Sequence, residues 1–142
     1  MKIINTIGGI GNQMFCYAFA LALKKRNEEE LLVDISHFNN YGLHDGFLIN
    51  EIFNVKEIKV AGKKEISRVT RYIPHYKLSR IARKILPKKS KEYIEKRDYV
   101  YDEKALNVEG DCYYEGYWQS PLYFDTIKEE VKKMFTFPMV NA

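Results

Sequence analysis

The stretch Lys2-Ile3-Ile4-Asn5-Thr6-Ile7, Gly8-Gly9-Ile10-Gly11, residues 12–26 and Glu30-Leu31-Leu32-Val33-Asp34 decides the fold. Its first six residues are mostly β-branched, with three isoleucines, as in a buried strand. Three glycines in four positions then break the strand and allow backbone angles that other residues resist. Met14, Tyr17, Ala18, Leu21 and Ala22 recur at i, i+3, i+4, i+7 and i+8, which predicts a helix over 12–26 with one buried face. Lys24, Lys25 and Arg26 stand in its last turn, where cations suit the negative end of the helix dipole. Residues 30–34 read as a second strand. Strand, glycine turn, helix and strand make a βαβ unit, and such units predict an α/β fold with a mainly parallel sheet.

Outward from this unit the pattern is weaker. A loop rich in Asn, Gly and His covers residues 36–46 and leads to the apolar patch Phe47, Leu48, Ile49, Ile52 and Phe53. Val55, Ile58 and Val60 suggest a short strand. Ile66, Val69 and Ile73 mark one helical face that ends at Pro74. Leu78, Ile81, Ala82, Ile85 and Leu86 mark another that ends at Pro87. Tyr99-Val100-Tyr101 and residues 112–118 are expected as late strands. Ser120 as N-cap and Pro121 at the first helical position open a last helix, with Phe124, Ile127, Val131 and Phe135 as its inner face.

The chain has 142 residues, 46% hydrophobic and 30% charged, values that fit one globular domain over residues 1–142 and exclude disorder and collagen-like sequence. Cys16 and Cys112 form no disulfide framework and no C-x-x-C pair, which favours a reducing compartment and a cytoplasmic location. The longest apolar run, residues 14–23, is too short to span a bilayer, and no signal peptide is visible. Net charge is +4, but residues 56–97 hold 15 Lys/Arg against four acids, a net of +11 on a remainder of −7. This basic helical insertion suits a solvated face, or peripheral contact with anionic lipid on the inner face of a membrane. No recognised nucleic-acid module accompanies the charge.

The glycine turn is a candidate binding corner. Backbone N–H groups there can approach a ligand closely, and the helix N-terminus adds unpaired N–H groups and positive partial charge. Gly9 and Gly11 would give access; Asn12 and Gln13 offer amides that donate and accept, useful toward hydroxyls, and their plainer reading is as caps alone. Against the dinucleotide pattern G-x-G-x-x-G/A, Met14 stands where a small residue is wanted, although Asp34 ends the second strand where a ribose-binding acid would sit.

The longer string Gly8-Gly9-Ile10-Gly11-Asn12-Gln13-Met14-Phe15-Cys16-Tyr17-Ala18 resembles the amino-terminal signature G-G-[LI]-G-N-Q-M-F-Q-Y-A of the α-1,2-fucosyltransferases, with Cys16 in place of the family's Gln. Leu43-His44-Asp45-Gly46-Phe47 through Ile52-Phe53-Asn54-Val55 is similar to the family's histidine–glycine–aromatic segment. Gly116-Tyr117-Trp118-Gln119-Ser120-Pro121-Leu122-Tyr123-Phe124 is similar to its G-[YF]-[FW]-Q-S-x-x-Y-F segment. The three occur in the family's order.

The resemblance implies a Rossmann-like three-layer sandwich, the N-terminal domain of a GT-B-type glycosyltransferase. It implies inverting transfer of L-fucose from GDP-fucose to O-2 of a terminal galactose on a glycan, with no metal and no cofactor beyond the donor. Gly9, Gly11, Asn12, Gln13, His44 and Gln119 are the substrate-binding candidates. The family's H-x-R-R-x-D motif, whose arginines suit a diphosphate, does not occur here. The expectation is therefore an acceptor-side half, without the donor-binding domain and with little activity alone. No catalytic base stands out among Asp34, Asp45 and Glu115. Each candidate also has a plainer reading: Gln119 as surface polar residue, His44 as loop histidine, Tyr117 and Trp118 as core aromatics. The alternative for the whole chain is a non-catalytic nucleotide- or phosphate-binding module.

Overall fold

The computed structural model describes residues 1–40, 42, 46–53, 55 and 58–137. Among the described residues, five strands, β1 (Lys2–Asn5), β2 (Leu31–Asp34), β3 (Lys59–Val60), β4 (Glu92–Ile94) and β5 (Cys112–Glu115), form one sheet in the order β3-β2-β1-β5-β4. Every pairing is parallel; Ile3 stands level with Leu32 on one side and Tyr113 on the other. This is the expected Rossmann-like α/β architecture.

Because side chains alternate across a strand, the sheet buries two faces. Ile4, Leu31, Val33, Cys112 and Tyr114 pack on α1 (Ile10–Arg26) and its neighbours. Ile3, Leu32 and Tyr113 pack on Ile66 and Val69 of α3 (Lys63–Val69). The result is three layers. The other α-helices among the described residues are α2 (Ile49–Ile52), α4 (Tyr76–Ile85), α5 (Glu103–Leu106) and α6 (Lys128–Met134).

α1 departs from the one-faced expectation. Residues 16–23 are all buried, because the sheet, α5 and the carboxyl-terminal helices enclose the helix. Phe19 anchors that enclosure. It stacks on Trp118 with ring centroids 4.2 Å apart and meets Tyr114 and Tyr123 edge-on. Trp118 and Tyr123 are thus core aromatics.

Two expectations for the carboxyl-terminal half need correction. Tyr99-Val100-Tyr101 is not a strand: Tyr99 has φ +64 and Val100 is 54% exposed. The edge strand is Glu92–Ile94 instead, where Glu92 is buried and accepts a hydrogen bond from Thr70 at 2.6 Å. The last helix does open at Ser120 and Pro121, but as a 3₁₀ segment, Pro121–Ile127, with non-helical angles at Phe124 before α6 begins.

Candidate functional site

In an open parallel sheet, ligands bind beyond the carboxyl ends of the strands, where the chain reverses its direction of strand addition. Here the chain adds β2 and β3 on one side of β1, then β4 and β5 on the other. The reversal lies between β1 and β5. The two segments that leave those strands are residues 6–13 and 116–119.

The glycine turn holds this corner open. Gly8 has φ +96, and a Cβ placed there would lie 2.6 Å from Nδ2 of Asn12. Gly9 is the N-cap of α1 and provides no side-chain cap, while Gly11 is exposed with open space where a Cβ would be. The helix therefore presents bare N–H groups and its positive end to this corner.

Asn12 and Gln119, far apart in sequence, meet here: Nε2 of Gln119 donates to Oδ1 of Asn12 at 2.6 Å. Gln13 behaves differently. It is fully buried; its Nε2 donates to the carbonyls of Gly8 and Gly46, and its Oε1 accepts from the N–H of Leu48 and Ile49. All its amide capacity is used inside the chain. Gln13 fastens the loop after residue 46 to the glycine turn. His44, with Leu43 and Asp45, lies outside the described residues.

At the carboxyl ends of the strands is a crevice of about 300 Å³, which neither Asn12 nor Gln119 lines. Asn5 and Ile7 line it from the end of β1, His37 from the end of β2, and Glu115, Gly116 and Tyr117 from the end of β5. Tyr76, Ser79 and Arg80 of α4 close its other side. Sequence reading missed this wall, because its parts come from four distant segments and carry no shared spacing.

A buried polar chain underlies the crevice. Tyr113 donates its hydroxyl to Asp34 at 2.6 Å, and Nδ2 of Asn5 donates to the Tyr113 oxygen and to Nδ1 of His37. Nδ1 is then the acceptor of the imidazole, so Nε2 carries the proton and donates to the carbonyl of Ile73 at 3.0 Å. Burial lowers the His37 pKa and keeps it neutral, against the pull of Asp34. The second Asp34 oxygen accepts from the N–H of Ser36. Asp34 is 1% exposed and occupied on both oxygens, so it does not offer itself to a ribose.

Two carboxylates stand at this end of the sheet. Glu115 pairs with Nε of Arg83 at 2.7 Å; burial raises its pKa while the guanidinium opposes the rise. Glu95 accepts from the N–H of Tyr117 and Trp118, holding Trp118 at φ +53, and burial raises its pKa against those bonds. Gly116 permits the approach: a Cβ there would stand 2.5 Å from Cβ of Glu95. Cys16 is inert: fully buried, with its thiol pushed up to about 12.

No family model matches the chain, and no solved structure does. Over 138 residues the chain is 31% identical to the alpha-1,2-colitosyltransferase of Escherichia coli, a glycosyltransferase. The match covers 94% of this chain and 44% of that protein, so the chain spans less than half the length of the curated relative it matches.

Proposed function

We propose that the chain forms the acceptor-side, GT-B-type half of a metal-independent, inverting α-1,2-glycosyltransferase. In this reading a 6-deoxy sugar, L-fucose or its 3-deoxy relative colitose, passes from its GDP conjugate to O-2 of a terminal galactose. The observation that carries the reading is the meeting of Asn12 with Gln119 at 2.6 Å. It joins the two segments with the family-like sequences at the place where this sheet type binds ligands. The similarity to a colitosyltransferase supports the sugar class.

The residues divide the work as follows. The bare N-terminus of α1, with Gly9 and Gly11, offers N–H groups to anionic or hydroxyl oxygens. Asn12 and Gln119 fix one another and present amides to hydroxyls. Among the described residues, Glu115 is the acid that lines the crevice and is assigned the proton from an acceptor hydroxyl; burial raises its basicity, offset in part by Arg83, which fixes its carboxylate. A dinucleotide module is disfavoured by the sealed Asp34 and by Met14 at the third small-residue position.

Titration of the 142-residue chain with a galactose-terminated acceptor, GDP-fucose, GDP-colitose and NAD tests this. We expect acceptor binding that Asn12→Ala and Gln119→Ala each weaken about tenfold, with little or no transfer by the chain alone. Tight NAD binding without acceptor binding would overturn the glycosyltransferase reading; rapid transfer by these residues would overturn the half-enzyme reading.

A further inference from the structure

α4 is turned inside out. A helix on a soluble core normally faces its apolar stripe inward. Here Ser79 is buried, and Arg83 turns inward to Glu92, Glu115 and the ring of Tyr113. Leu78, Ile81 and Ile85 face outward, 56%, 53% and 74% exposed, and Leu86, just beyond the helix, is 42% exposed. Positions 78, 81 and 85 share one stripe, at i, i+3 and i+7. Lys77, Arg80 and Lys84 border it, and Lys88, Lys89 and Lys91 follow, all exposed. Residues 66–91 hold nine Lys/Arg and no Asp or Glu.

We propose that this face of α4 docks on an anionic lipid surface. The stripe sinks to the boundary between headgroups and acyl chains, and the cations meet the headgroup phosphates. Charge complementarity decides the occupant. Protein interfaces are depleted in lysine, whereas an anionic bilayer gains from each one. The helix lies in the surface; among the described residues no helix is long and apolar enough to cross a membrane. Tyr76, Ser79 and Arg80 of the same helix line the crevice. Docking therefore holds the crevice about one helix diameter, ~10 Å, from the headgroups.

Co-sedimentation of the 142-residue chain with vesicles tests the proposal, comparing phosphatidylglycerol–phosphatidylethanolamine with pure phosphatidylcholine. Binding to the anionic vesicles is expected, with little to the neutral ones, and it falls steeply between low and high salt. Leu78→Ser/Ile81→Ser/Ile85→Ser alters only exposed positions, so its circular dichroism stays that of the parent while its partitioning drops at least tenfold. Lys77→Glu/Lys84→Glu/Lys88→Glu lowers partitioning by a similar factor. Absence of binding at low salt, or binding unchanged by both triple variants, overturns the proposal. So does a serine variant that loses only self-association, which makes the stripe a protein contact.

Discussion

Gly8 shows how much of the site depends on one missing side chain. At φ +96 an alanine is strained, and its Cβ would meet Asn12 at 2.6 Å. Gly8→Ala should cost about 1–3 kcal/mol and break the Asn12–Gln119 bond. Denaturant titration reads the first effect, and the side-chain amide resonances of Gln119 read the second. Gln13 makes the opposite point. Its position in the motif marks it as a ligand contact, yet its four hydrogen bonds all stay inside the chain. Gln13→Ala orphans two buried or half-buried N–H groups, at about 1–3 kcal/mol for each group left unmet. Acceptor affinity should change far less than stability; equal losses in both would mean that Gln13 also touches ligand.

His37 supplies a pH signature at the same scale. Its pKa is lowered in the folded chain, so folding expels a proton that the unfolded chain holds below about pH 6.5. The Asn5–His37–Ile73 bonds contribute fully above that pH and fade as pH falls through the folded pKa. Unfolding free energy should drop between pH 7.5 and 5.5, and His37→Leu should show a flatter profile over that window. A variant profile as steep as the wild type's would remove His37 from the account.

At the scale of elements, legibility tracks locality. The β1-α1-β2 unit could be read because its signals, periodicity and glycine turn, lie within one continuous segment. β4 escaped because Glu92-Tyr93-Ile94 is short and begins with a buried acid, whose burial depends on Thr70 across the fold. Tyr99-Val100-Tyr101 matched strand propensity but lacked a neighbour to pair with. For α4, periodicity located the stripe correctly but could not say which side faces the sheet; the ion pair of Arg83 with Glu115 fixes that, and it lies outside any local window. The crevice was illegible for the same reason. Packing of α1 can be tested directly. Phe19→Ala removes the ring that Trp118, Tyr114 and Tyr123 share, and should cost about 3–5 kcal/mol, measured as a lower denaturation midpoint at unchanged slope.

For the whole molecule, the order β3-β2-β1-β5-β4 makes the earliest strand the central one. β1 pairs with β2 almost at once, but its other edge is met only by β5. The Asn5–Tyr113 bond alone closes a separation of 108 residues. A chain ending at residue 110 should therefore lack a cooperative transition and bind hydrophobic dyes, whereas the 142-residue chain should unfold in one step. On the ribosome, synthesis at roughly 5–20 residues per second leaves that edge bare for about 5–20 s. During that interval the strand Lys2–Asn5, with Ile3 and Ile4 at its centre, is an open template for any other extended chain nearby. Yield in cells should therefore follow the supply of chaperone to the nascent chain more closely than it follows the stability of the finished fold.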